Sequence, residues 1–354
     1  MSKSFVNKVL AGGALAAGAA VWAIAPRTFS DKRRNYVPSI PDVWYAHRGL
    51  HDAGSGLTAQ YANESGEYVA LARRMAMKAG YGSPSVTGAI APENSLAAFA
   101  AACEAGYGIE LDLQMTADGE IVVVHDGDLM RVAGDPRRVA DLTYDELTRI
   151  PLFPTDAPGA AVAAPLPGSL EKPPLVTTPD SAPEGYSQHV PLFADVLKVV
   201  AGRVPLIVEY KFDDNSKWGP RDVELMEKGD ALLQAYSGAY VIESFNPAAV
   251  NWYKENRPEV CRGQLSWWPQ GEEKPSDPAA LAKEYAAGAL IFDWISRPDF
   301  VAYDWHGGNS PQVRLARFMG AVPVSWTVRS RDELAQCDDW FDYHIFEAFV
   351  PDEQ

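Results

Sequence analysis

Eight short apolar runs, each separated from the next by enough chain for a helix, constrain the fold more than any other feature of this sequence. They fall at 43–46, 109–113, 206–210, 240–244, 262–266, 289–293, 322–327 and 343–347. Several are almost uninterrupted by polar residues, the pattern of strands covered on both faces. Strands alternating with helical stretches imply a parallel sheet. Eight such strands close a barrel, so the expected fold class is α/β, a TIM (β/α)8 barrel. Helices are expected at 95–105 behind an N-cap-like Asn94, at 247–255 and at 331–338. Two insertions interrupt the barrel. Residues 50–90, with a helix at 64–79, read as a lid, and residues 151–188, dense in Pro and Ala, read as a surface or disordered loop.

One extra run, 120–125, follows Asp118-Gly119, a hairpin signal. A two-residue turn there pairs Ala117 with Glu120 and sets Asp112 opposite His125.

The chemistry gathers at the ends of these strands. The first leads into His47-Arg48-Gly49, and the following helix is preceded by Pro92-Glu93-Asn94-Ser95. The second strand carries Glu110-Leu111-Asp112, the hairpin returns through Val124-His125-Asp126, and the third reads Glu209-Tyr210-Lys211. Strand residues two apart share a face, so Glu110 converges with Asp112, and Glu209 with Lys211. Three carboxylates in one cavity repel unless a cation joins them. Oxygen ligands without a Cys or His cluster suit Mg²⁺ or Ca²⁺ better than zinc. Two histidines beside that cation supply a general acid and a general base. Arg48 and Lys211 offer fixed positive charge to phosphate oxygens. Together these groups describe phosphoryl chemistry.

The ordered set HRG at 47–49, APENS at 91–95, ELD at 110–112, VVVHD at 122–126, VEYK at 208–211, ESF at 243–245 and SWTV at 325–328 resembles the glycerophosphodiester phosphodiesterase family, a group of phospholipase C-like barrels. The resemblance runs from Trp44 onward and leaves out the head and both insertions. It implies a metal-dependent phosphoric diester hydrolase that splits glycerophosphodiesters into an alcohol and sn-glycerol 3-phosphate during phospholipid breakdown. By resemblance Glu110, Asp112 and Glu209 hold the metal, and His47 and His125 form the acid/base pair on opposite sides of the phosphorus. Arg48 and Lys211 hold the phosphate, while Glu93 and Asn94 orient the groups around it. The last strand departs from the family, reading Ile345-Phe346-Glu347-Ala348-Phe349 where a threonine-aspartate-rich ending is usual, so no role is assigned there. Alternatives are a phospholipase D-like or cyclising phosphodiesterase acting on lysophospholipids, or an inactive membrane-tethered binding barrel.

The head differs from the body. Residues 1–34 hold six basic residues against Asp31 alone, a net +5, which leaves −21 of the total −16 to the rest. Between Lys8 and Arg27 there is no charge, and 9–26 is barely long enough to cross a bilayer core of about 30 Å. Residues 1–34 therefore read as a single-pass membrane anchor, a hydrophobic helix with a basic flank, in preference to a secretory signal cleaved after Ala23-Ile24-Ala25, because Pro26 would follow the cut; 35–354 read as the barrel. More Lys and Arg follow the span than precede it, which favours a cytoplasmic body over an extracellular one. The acidic body argues against a nucleic-acid partner. Cys103, Cys261 and Cys337 have no metal-ligand spacing and fit no disulfide framework.

Overall fold

The computed structural model describes residues 18–26, 37–154, 187–215, 217–269 and 274–352. Its strands are β1 Tyr45–Ala46, β2 Gly108–Met115, β3 Ile121–Val123, β4 Asp128–Leu129, β5 Asp135–Arg138, β6 Leu206–Tyr210, β7 Tyr240–Ser244, β8 Arg262–Ser266, β9 Phe300–Asp304, β10 Val322–Val328 and β11 Tyr343–Phe346. They hydrogen-bond in the order β1-β11-β10-β9-β8-β7-β6-β2-β3, and a pairing of β1 with β2 closes the first eight into a ring. The pairs β1/β2, β1/β11, β2/β6, β8/β9 and β9/β10 are parallel, as the barrel expectation requires. Helices Pro220–Gln234, Pro247–Asn256, Pro278–Gly288 and Pro311–Phe318 lie in the crossovers. Each begins on proline, whose fixed φ suits a first turn that has no N–H bond to lose.

The chain forms two compact units: residues 1–39, 243–326 and 337–342 in one, and 40–242, 327–336 and 343–354 in the other. In the first, β9 corrects the sequence reading. The expected strand at 289–293 is instead a turn, with Leu290 at φ 58°, Ile291 N–H bonded back to Ala286 O and a short helix beginning at Asp293. The strand is Phe300–Asp304, in register with Gly263 on one side and Val322 on the other. A four-residue apolar run cannot by itself be told from a buried helix end.

In the same unit residues 18–24 are helical. Arg297 Nη1 donates to Trp22 O at 2.7 Å and Ala25 O at 2.6 Å, satisfying carbonyls that a helix C-terminus leaves open. Trp22 stacks on Trp294, with ring centroids 5.8 Å apart, and Ala23, Ile24 and Pro26 are buried. The end of the expected anchor thus packs on protein. Among the described residues no helix is long and apolar enough to cross a membrane; most of the anchor reading lies outside them.

The second unit carries β1, β2, β6 and β11. Helix α1, Ala62–Lys78, matches the expected 64–79 closely and buries Tyr68, Ala72 and Ala76. Helix α2, Leu96–Ala105, is capped by Ser95, whose Oγ accepts Ala98 N–H, and not by Asn94 as the sequence suggested. The insertion is fastened at its base by Asp52. That carboxylate accepts Ile90 N–H and Ala91 N–H at 2.8 Å and Arg73 Nη1 at 2.7 Å. Residues 155–186, the greater part of the second insertion, lie outside the described residues.

The β2–β3 hairpin differs from expectation by one residue. The partners are Leu113/Val123, Gln114/Val122 and Met115/Ile121, and Thr116 N–H bonds Glu120 O. The loop therefore has three residues, Ala117 to Gly119, with Gly119 at φ 81° supplying the left-handed position such loops need. Asp112 accordingly faces Val124, whose N–H it receives at 3.0 Å, and not His125.

Candidate active site

Every sequence-selected site residue lies in the second unit. Asp112 and Glu209 are register partners on the parallel strands β2 and β6, and Glu110 is two residues before Asp112 on the same face. All three are buried, and one carboxylate oxygen from each lies within 4.8 Å of the others. Lys211 Nζ reaches Glu209 Oε2 at 2.9 Å and Asp112 Oδ1 at 3.3 Å. Asn94 is held at φ 55°, a conformation asparagine tolerates better than most, and its Nδ2 donates to Asp112 Oδ2 at 2.8 Å. The Arg48 N–H donates to Glu110 Oε2 at 3.0 Å.

Arg48 and Gly49 both have positive φ, at 57° and 81°. A Cβ on Gly49 would lie 2.9 Å from the Ala98 carbonyl carbon, so glycine is required where the chain passes helix α2. This turn aims the Arg48 amide at Glu110. The guanidinium points instead to Glu93, with Nη1 donating to Oε1 at 2.8 Å, and Nε stands 3.6 Å from Asp112 Oδ2.

Electrostatics within the cluster are uneven. Burial, reinforced by Asp112, pushes the Glu209 carboxyl up to about 7, although Lys211 opposes it. Burial also works against Asp112, yet Lys211, His125 and Arg48 hold it below the usual carboxylate range. Glu209 Oε1 is buried with no hydrogen-bond partner among the described residues. A carboxylate that resists ionisation, with an orphaned oxygen beside two more carboxylates, is what a missing positive charge leaves behind. The donor set, all oxygen, fits a hard divalent cation such as Mg²⁺ or Ca²⁺.

The two histidines are each held through Nδ1 by a carboxylate. His47 follows β1 and continues its ladder through N–H to Phe346 O. Its Nδ1 lies 2.9 Å from Glu347 Oε2, and its Nε2 lies 3.9 Å from Glu110 Oε2. His125 lies past the end of β3. There Gln114 Nε2 donates to the carbonyls of Val124, His125 and Asp126, at 3.0, 2.9 and 2.7 Å, and curls the chain around one amide. That bend sets the position of His125, since the strand pairing has ended. Its Nδ1 is 2.7 Å from Asp126 Oδ1. Burial, Arg48 and Lys211 bring the His125 imidazole down to about 4, and burial also lowers His47 against the pull of Glu347.

Sequence reasoning missed Glu347. It is fully buried, and Arg329 Nε donates to its Oε1 at 2.6 Å, while His51 Nε2 lies 3.4 Å from Oε2. Burial opposes its ionisation, but Arg329 and His47 hold it well below the usual range. Arg131 was missed as well. It clamps Glu93 through Nη1 at 2.8 Å and Nη2 at 2.6 Å, and donates through Nε to Asp126 Oδ2 at 2.7 Å. An acidic residue at the end of the last strand was a usable signal for Glu347, whereas nothing local marks Arg131.

Among known proteins, the family model described as "Glycerophosphoryl diester phosphodiesterase family" matches residues 86–341. A glycerophosphodiester phosphodiesterase of Caldanaerobacter subterraneus subsp. tengcongensis is 45% identical over 60 residues, 17% of this chain and 25% of that protein. The chain thus spans about a quarter of the length of such curated relatives. A solved structure from Silicibacter pomeroyi DSS-3 is 23% identical, with 78% of this chain and 94% of that one covered and a TM-score of 0.53. An Oleispira antarctica phosphodiesterase, solved in complex with the product sn-glycerol-3-phosphate, is 16% identical, with 87% and 93% covered and a TM-score of 0.53. Both share the fold described above.

Proposed function

The chain belongs to the glycerophosphoryl diester phosphodiesterase family, and from that premise we propose that it hydrolyses glycerophosphodiesters to an alcohol and sn-glycerol 3-phosphate. The observation that carries this reading is the buried cluster of Glu110, Asp112 and Glu209, flanked by two histidines that are each tied to a carboxylate through Nδ1. The bound sn-glycerol-3-phosphate of the Oleispira antarctica enzyme supports the same substrate class.

Glu110, Asp112 and Glu209 would hold one divalent cation, Mg²⁺ or Ca²⁺, and its positive charge would stabilise the oxygens of the phosphorane-like transition state. Lys211 draws the non-bridging oxygens of the diester toward the cluster. Arg48 places its backbone N–H on Glu110 and its charge beside Asp112, so it contributes more to fixing the ligands than to gripping phosphate. Asn94 and Glu93 fix Asp112 and Arg48 in turn.

With Nδ1 occupied by a carboxylate, each histidine offers Nε2 to the substrate. One removes the proton from the attacking oxygen, and the other returns a proton to the oxygen of the leaving alcohol. Both imidazoles are held below their usual pKa, so the base form predominates at neutral pH. The acid form arises as the negative diester arrives and the carboxylate at Nδ1 steadies the imidazolium.

The test uses the full chain stripped with chelator and then supplied with Mg²⁺ or Ca²⁺. Glycerol 3-phosphate should be released from glycerophosphocholine or glycerophosphoethanolamine only when the cation is restored. Undiminished release after stripping removes the cation from the reading. A cyclic phosphate as the end product, or turnover of a lysophospholipid alone, replaces hydrolysis of glycerophosphodiesters with a cyclising or phospholipase D-like reaction.

A further inference from the structure

The insertion at 50–90 meets the carboxylates of the site through His51, whose Nε2 lies 3.4 Å from Glu347 Oε2, and through Gly54-Ser55-Gly56. Ser55 Oγ donates to Glu347 Oε2 at 3.0 Å, and Ser55 N–H donates to Glu93 Oε2 at 2.6 Å. Glu347 is the carboxylate on His47. Glu93 is clamped by Arg131, which also holds Asp126, the carboxylate on His125. One unbroken chain of hydrogen bonds therefore runs His47, Glu347, Ser55, Glu93, Arg131, Asp126, His125.

The two glycines show how closely the segment is applied to both carboxylates. A Cβ on Gly54 would stand 2.7 Å from Glu93 Oε2, and one on Gly56, at φ 75°, would stand 2.6 Å from the Glu347 carboxyl carbon. Neither position admits a side chain without displacing a carboxylate that orients the site. Among the described residues Ser55 hydrogen-bonds through its side chain and N–H to Glu347 and Glu93, neither of them in the carboxylate cluster, so its effect passes through these two neighbours.

We propose that Gly54-Ser55-Gly56 is a positioning element, a clasp contributed by the insertion that couples the carboxylates behind the two histidines. Ser55 sets the rotamer of Glu347 through Oγ and that of Glu93 through its N–H. The insertion is thus part of the support behind the two histidines. The inference rests on the reading of His47 and His125 as the acid/base pair.

A double-mutant cycle on the full chain tests it, with Mg²⁺ present and glycerophosphocholine as substrate. Ser55→Ala should lower kcat about 10-fold with KM within about twofold, the effect of one lost hydrogen bond to a buried charged group. In the Glu347→Gln background the same change should cost less than about twofold, since a residue acting through Glu347 has little left to orient. Ser55→Thr, which keeps the hydroxyl, should recover most of the rate. Equal losses in both backgrounds, or a change confined to KM, would overturn the proposal.

A second readout needs no turnover. Long-range nitrogen–proton NMR of His47 in the metal-free protein should show a single Nδ1–H tautomer in the wild type and a mixture in Ser55→Ala; an unchanged spectrum counts against the clasp. A wild type that hydrolyses no diester sinks the functional reading, and the tautomer measurement then decides the clasp on its own.

Discussion

Alanine at His47 or at His125 is expected to lower kcat by about 10²-fold to 10⁴-fold, the range for a lost general acid or base, with the fold intact. Each imidazole has one nitrogen fixed by a carboxylate and the other left for substrate, so truncation removes the proton carrier without disturbing the strands. The His47 ladder bond to Phe346 is made by its backbone, and the bend at His125 is made by Gln114, so neither depends on the ring. The two losses should not multiply in the double mutant, because one proton path needs both groups. The pH profile adds a sign. Both imidazoles have lowered pKa values in the folded chain, His125 to about 4, so the base form persists into acid and the acidic limb of kcat/KM should fall below the usual imidazole value of about 6.5. Near-normal turnover in either alanine variant removes that residue from the pair. An acidic limb above the ordinary imidazole value would contradict the burial argument.

The strands that build the site were legible because a parallel barrel strand is buried on both faces and shows itself as an apolar run. β6, β7 and β8 match their sequence ranges residue for residue. β9 was not legible in this way. The run at 289–293 is as apolar as a strand but ends a helix, while Phe300–Asp304 carries its acidic residue at the mouth. The hairpin register slipped by one because Asp118-Gly119 is compatible with loops of two or three residues, and the third is set by Thr116 bonding Glu120. Side-chain identity pointed to the carboxylates that the structure brings together and to the histidines beside them, since Glu, Asp, His and Lys stand out at the ends of otherwise apolar strands. The supports were hidden for a physical reason. Glu347 meets His47 across 300 residues of sequence and Ser55 across 292, contacts that only the closed ring of strands creates.

Replacing a ligand carboxylate should abolish activity and reverse an order of stability. Asp112→Asn and Glu110→Gln each remove a charge from the proposed cation site and should weaken Mg²⁺ or Ca²⁺ binding by more than about 100-fold, beyond the 10- to 100-fold typical of lost outer partners. The wild type should gain about 2.7 kcal/mol of unfolding free energy at a free cation concentration 100 times its Kd, and these variants should gain less than about 0.4 kcal/mol at the same concentration. Glu209→Gln separates binding from stability. Burial and Asp112 raise this carboxyl to about 7, so in the cation-free protein its ionisation costs stability as pH rises through the interval between the ordinary glutamate value and 7, and the penalty is complete above 7. At pH 8 without cation, Glu209→Gln should therefore melt at least as high as the wild type. With cation the order should invert, because only the wild type has the third carboxylate to bind it. A melting temperature for cation-free Glu209→Gln well below that of the wild type at pH 8 would show that Glu209 is held by structural partners. Retained cation response in all three variants would move the metal away from this cluster.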